Sequence, residues 1–140
     1  MDAVSLPRQS TKGFVISWVW VIAWAALIFV LSSSSELPKI PGDSGDKYAH
    51  AIVYAVLAAL TARALASGAW RGVTWGYACL ATILATLYGV SDEIHQAFVP
   101  GRHPSWGDVM ADALGALVGA GLVWACAIIA ATQRRARSEL

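Results

Sequence analysis

Apolar residues run along the chain in four blocks, Phe14 to Leu31, Ala49 to Ala66, Val73 to Val90 and Val109 to Ala131, with short polar connections between them. Each block is about 18 residues or longer, near the minimum an α-helix needs to cross the hydrocarbon of a bilayer. The pattern predicts four transmembrane helices. The second block carries His50 and Tyr54 near its start and Arg63 near its end, so it is expected to pack among the others rather than against lipid. The longest connection, Ser32 to Lys47, holds Pro38, Pro41, Gly42 and Gly45 and reads as irregular turn structure. The first block exceeds the roughly 7 to 15 apolar residues of a secretory signal core, which favours an uncleaved anchor. No repeat and no second domain is evident. The predicted organisation is an N-terminal segment over 1–13, a four-helix transmembrane domain over 14–131 and a basic tail over 132–140.

Composition agrees with the pattern. Hydrophobic residues make up 57% of the chain and charged residues only 14%, against about 25% charged in globular domains, and the mean hydropathy is +0.57. The expected fold class is therefore all-α, a polytopic bundle with no soluble core, in which any chemistry is built from helix ends and short loops. Net charge is +1, yet charge is segregated. Arg8, Lys12, Arg63, Arg71, Arg134, Arg135 and Arg137 would lie on one side of the bilayer, and Lys39, Lys47 and Arg102 on the other. Basic loops stay cytoplasmic, which puts both termini inside. Glu36, Asp43, Asp46, Asp92, Glu93 and Asp108 then fall on or near the outer side. Trp18, Trp70, Trp75 and Trp106 sit near span ends, while Trp24 and Trp124 read as mid-span. Basic residues confined to membrane boundaries argue against nucleic-acid binding. Cys79 and Cys126, inside apolar blocks and without a CxxC partner, read as small core residues.

The outer ends concentrate the polar residues. Ser91 to Arg102 packs Asp92, Glu93, His95, Gln96 and Arg102 against apolar sequence, and ionisable groups at such depth usually face a protein interior or a wet cavity. Helical spacing arranges them further. Asp46, His50 and Tyr54 recur every four residues. Gly89, Glu93 and Gln96 form one stripe of the third helix, and Tyr88, Asp92 and His95 the next. Asp108, Asp112, Gly115 and Gly119 descend one face of the fourth. Gly115 to Gly119 is a GxxxG pattern, whose small residues let helix backbones approach closely in lipid and would bring Asp112 against a neighbouring helix.

The set Asp46-Lys47-Tyr48-Ala49-His50 with Tyr54, then Asp92-Glu93-Ile94-His95-Gln96, Pro100-Gly101-Arg102, Ser105, Asp108, Asp112, Gly115-Ala116 and Gly119 resembles the VanZ-like family of bacterial membrane proteins over roughly residues 46 to 120. That resemblance implies an integral protein of the bacterial cytoplasmic membrane. The family's namesake is associated with low-level resistance to teicoplanin, and other members have no assigned reaction.

Two function classes follow. In one, the protein binds an envelope lipid, a cell-wall precursor or a glycopeptide antibiotic in an extracytoplasmic pocket of Asp46, Lys47, Tyr54, Asp92, Gln96, Arg102, Asp108 and Asp112. Arg102 would then present a fork of donors to phosphate or carboxylate. In the other, it is a small intramembrane enzyme acting on a polyprenyl or phospholipid headgroup, with Glu93 and His50 as an acid/base pair, since a desolvated glutamate beside a histidine can exchange protons near neutral pH. Each residue also has a structural reading. Arg102 could form an ion pair with Glu93, Asp108 or Asp112, and His50 could be held by an acid or amide. His50, Glu93, Asp108 and Asp112 offer donors of the kind zinc or manganese accepts, but no HExxH or paired-cysteine spacing specifies a metal. No cofactor is expected, and no GxSxG context marks a serine nucleophile.

Overall fold

In the computed structural model, which describes residues 11–35 and 45–138, four α-helices follow one another: α1 (Thr11–Ser32), α2 (Gly45–Leu65), α3 (Trp75–Gln96) and α4 (Trp106–Ser138). The proline- and glycine-bearing part of the α1–α2 connection lies outside the described residues, as do Arg8, Glu36, Lys39 and Asp43. Helices α1, α2 and α4 are long and apolar enough to cross a membrane. Helix α3 has the 22-residue length of α1 but falls short in apolarity, because it continues past Val90 and takes Asp92, Glu93, His95 and Gln96 into its last turns. The four expected spans are thus three by composition plus one helix of equal length with a polar end.

The interior is made of small residues. Ala58, Ala62, Ala81, Ala116 and Ala120 are fully buried, whereas Trp20, Ile22, Val30, Ile83, Leu87, Leu117 and Leu122 stand on the outer surface. Large apolar groups outside and small ones inside is the arrangement expected where lipid is the solvent and helices associate through close backbone packing. Helices α2 and α4 form the tightest pair. A Cβ on Gly115 would overlap the backbone of Ala51, and one on Gly119 the backbone of Ala55, so the GxxxG seam of α4 lies directly on α2. As expected, α2 is enclosed by its neighbours, with Tyr54, Leu57, Ala58, Thr61 and Ala62 buried.

Helix α1 is more loosely held, with only Ser17, Ile28 and Ser32 buried. It is fastened by polar side chains. The Trp24 indole N–H donates to the carbonyl of Val53 at 3.0 Å, the Tyr88 hydroxyl donates to the carbonyl of Ala25 at 2.7 Å, and the His95 ring stacks on Phe29 with centroids 4.5 Å apart.

Two turns fix how the helices connect. Helix α2 ends in a Schellman-type cap in which Gly68 N–H donates to Arg63 O at 2.9 Å and Ser67 N–H to Ala64 O at 3.0 Å, with Ser67 at φ 55. Gly68, at φ 86, lies against Gly13 and Ser17 of α1, which puts the α2–α3 turn at the start of α1. At the opposite end, Arg102 N–H donates to Val99 O at 3.1 Å around Pro100 and Gly101. With Gly101 at φ 82, this is a type II turn, which favours proline and then a positive-φ glycine at its two central positions.

Helix α4 is longer than its apolar block and carries Arg134, Arg135 and Arg137 within the helix. The Trp124 ring meets that of Trp75, the first residue of α3, at 5.0 Å. Trp124 therefore sits level with a helix end, not mid-span. Cys79 is half-buried and Cys126 exposed, so Cys126 is an outward-facing residue and not part of the core.

Candidate functional site

The C-terminal ends of α1 and α3, the start of α2 and the α3–α4 loop line an open cavity of about 130 Å³. Its polar lining comprises Asp46, His50 and Tyr54 from one stripe of α2, Asp92 and Gln96 one turn apart on α3, and Arg102 from the turn; Ile28, Leu31 and Ser32 of α1 close the remaining side. The contribution of α1 was not readable from its sequence, which offers only apolar and hydroxyl residues there.

Arg102 makes no ion pair among the described residues. Its Nη2 instead donates to the carbonyl of Leu31 at the end of α1, at 3.1 Å, while its Nε is buried and unpartnered. The Tyr54 hydroxyl is in the same condition: the side chain is 1% exposed and its oxygen has no partner among the described residues. Of the two readings of Arg102, the structural ion pair with Glu93, Asp108 or Asp112 is not formed. The type II turn and the Leu31 carbonyl direct the guanidinium to α1 and the cavity, away from α4.

The remaining polar residues gather on the other side of His50. Nδ1 of His50 lies 2.9 Å from Oδ1 of Asp112, a wholly buried carboxylate whose Oδ2 has no partner. Asp112 fits there because α3 has glycine opposite: a Cβ on Gly89 would come within 2.6 Å of Oδ2. Glu93 is buried and accepts the Ser105 backbone N–H at 2.7 Å, while Ser105 Oγ caps α4 by accepting Gly107 N–H at 3.1 Å. The Gln96 amide donates to Asp92 at 3.1 Å and, less closely, to Glu93 at 3.4 Å. His50, Glu93 and Asp108 bring one ligand-type atom each within 4.8 Å of one another.

The residues expected to share one pocket thus divide into two adjoining groups that meet at His50. Asp46, Tyr54, Asp92, Gln96 and Arg102 line the cavity. Glu93, Asp108 and Asp112 lie outside its lining, because successive residues of a helix point about 100° apart and the pairings across helices select among them. Lys47, also outside the lining, lies over Gly107 of α4, its Cε 2.9 Å from where a Cβ would stand. His95 shares a hydrogen bond with Ser33 at 3.0 Å, and so serves to attach α1.

The sequence profile of a family described as VanZ/LLP1 matches residues 14–129, nearly the whole helical part of the chain. The chain belongs to the VanZ/LLP1 family. The match begins at the start of α1, well before residue 46, in keeping with the part α1 plays in closing the cavity. Neither a search of curated proteins nor one of solved structures returned a match for this VanZ/LLP1 protein.

Proposed function

We propose that this VanZ/LLP1 protein spans the bacterial cytoplasmic membrane four times with both termini inside, and binds the phosphate-bearing headgroup of an envelope lipid or lipid-linked cell-wall precursor in its outward cavity. The observation that carries this reading is that two residues lining one cavity, Arg102 and Tyr54, each hold a buried donor, Nε and the hydroxyl, without a partner among the described residues. Buried polar groups are costly without partners, and a guanidinium beside a hydroxyl suits an anionic oxygen cluster. Asp46 at the rim suits an amine or hydroxyl on the same headgroup, while Asp92 is engaged by Gln96. A cavity of about 130 Å³ favours a headgroup over a whole glycopeptide.

Native mass spectrometry in mild detergent, after add-back of phosphatidylglycerol or a polyprenyl phosphate, tests the proposal. Wild type should retain the phosphate lipid and not diacylglycerol. Loss of a hydrogen bond to a charged group costs about 1.5 to 3 kcal/mol, so Tyr54→Phe should weaken retention on the order of tenfold or more, and Arg102→Ala at least as much. Equal retention by wild type and both variants overturns the reading.

A second reading, acid/base catalysis on such a headgroup by Glu93 and His50, draws support from the carboxylate of Asp112 that orients the His50 ring. Its discriminating variant is Glu93→Gln, which preserves shape and removes the proton-transfer group.

A further inference from the structure

His50, Glu93 and Asp108 come from three different helices, α2, α3 and α4, yet place one nitrogen and two carboxylate oxygens within 4.8 Å of one another. The surroundings of this triad are short of positive charge. Asp92, Glu93 and Asp112 are all buried, Asp108 stands beside them, and the ion pair found among the described residues is that of His50 with Asp112. Arg102 is turned toward the Leu31 carbonyl, and Lys47 is exposed. Four carboxylates thus stand around one imidazole, and a carboxylate ionised in such a buried setting needs a positive partner.

Asp112 is 0% exposed, holds His50 through Nδ1 at 2.9 Å and keeps a second oxygen without a partner among the described residues. A carboxylate that accepts from Nδ1–H fixes the tautomer in which Nε2 carries a free lone pair, and this is the way metal-ligating histidines are commonly oriented. Glu93 is likewise fixed in place by the Ser105 N–H, leaving its other oxygen with only the long contact from Gln96.

We propose that His50, Glu93 and Asp108 bind a divalent transition cation of the zinc or manganese class, with Asp112 as the residue that positions His50. The donor set of one nitrogen and two oxygens matches the preference of these ions for mixed imidazole and carboxylate ligands. Three protein ligands leave a coordination position open, as in sites where the ion engages water or a further ligand. Donor atoms about 2.0 to 2.2 Å from zinc stand roughly 3.4 Å apart across a tetrahedral edge, a spacing that side chains already within 4.8 Å of one another reach by small rotations. The cation adjoins the cavity, because His50 belongs to both. Glu93 and His50 are then ligands and not a proton-transfer pair. Cation binding needs no headgroup, and it stands or falls separately from the lipid reading.

The test uses the untagged full-length protein in detergent, stripped by chelator, loaded separately with Zn²⁺, Mn²⁺ or Mg²⁺, and passed through gel filtration. Elemental analysis should find close to one Zn²⁺ per chain, less Mn²⁺, and no retained Mg²⁺. Glu93→Gln and Asp108→Asn should each weaken Zn²⁺ binding tenfold or more. Asp112→Asn should weaken it about 10- to 100-fold while leaving all three ligands in place, and His103→Ala should change nothing. Loading wild type with Co²⁺ should give visible absorption typical of a coordination number below six, a readout independent of how any variant folds. The proposal is overturned if wild type retains no metal, if the double variant Glu93→Gln/Asp108→Asn retains as much as wild type, or if bound Co²⁺ shows only the weak spectrum of the hydrated ion.

Discussion

Asp112 illustrates what a single residue contributes here. A carboxylate with no exposure survives in the bundle because His50 meets one oxygen and because α3 offers glycine opposite the other. Gly89→Ala should therefore be destabilising by about 1 to 3 kcal/mol, the usual range for overpacking, since its methyl would press on Oδ2 and push the carboxylate off His50. Asp112→Ala should cost about 3 to 5 kcal/mol if His50 is charged. The two changes address one contact, so the double variant should be more stable than the sum of the single effects by more than about 0.5 kcal/mol. Denaturation midpoints in detergent check this, and strict additivity would show that Gly89 does not make room for Asp112. Both His50 and Asp112 stood out in the sequence as ionisable groups near lipid. Their pairing did not, because residues 62 positions apart are matched by helix packing, and the glycine that permits it has no side chain to advertise the role. The partner of Arg102 was hidden for a similar reason: every residue has a carbonyl, so the sequence cannot distinguish that of Leu31.

At the scale of elements, the small-residue seam of α4 was legible because GxxxG is a spacing rule, and its partner proved to be α2, through the backbones of Ala51 and Ala55. Helix extents were less legible. Apolar blocks end where charge begins, whereas α3 runs on through Gln96 and α4 through Ser138, since helical hydrogen bonding does not stop at the membrane boundary. The seam supports a paired prediction. Gly119→Ala would drive a methyl into the Ala55 backbone and should destabilise the bundle by about 1 to 3 kcal/mol. Gly121, two residues on, has nothing within 4 Å of the point a Cβ would occupy, so Gly121→Ala should stabilise α4 by up to about 1 kcal/mol through helix propensity alone. Thermal unfolding of the two variants side by side should give shifts of opposite sign. Shifts of the same sign would mean that α2 and α4 do not meet along this face.

For the whole molecule, the distribution of charge between the two ends of the bundle decides which end faces out. Gly68 lies against the start of α1 and Trp124 is level with the start of α3, so Lys12, Arg63, Arg71, Arg134, Arg135 and Arg137 collect at one end. Arg63 is stacked there on Trp70, its guanidinium carbon 5.1 Å from the ring centroid, an interfacial pairing of cation and aromatic ring. From Trp124 to Ser138, α4 extends roughly 20 Å beyond that level at 1.5 Å per residue, long enough to carry its arginines into anionic headgroups. The cavity and the His50 cluster occupy the opposite end. The positive-inside rule then predicts that the turn bearing Arg102 is extracytoplasmic. In a chain with Cys79 and Cys126 replaced by alanine, a single cysteine at His103, an exposed loop position, should react with an impermeant thiol reagent in intact cells. One at Ser138, exposed at the far end of α4, should react only after lysis. Ser105 is the poorer probe site, because its N–H and hydroxyl hold the α3–α4 junction together. The reverse labelling pattern would turn the cavity toward the cytoplasm, and the headgroup it receives would then have to come from the inner leaflet.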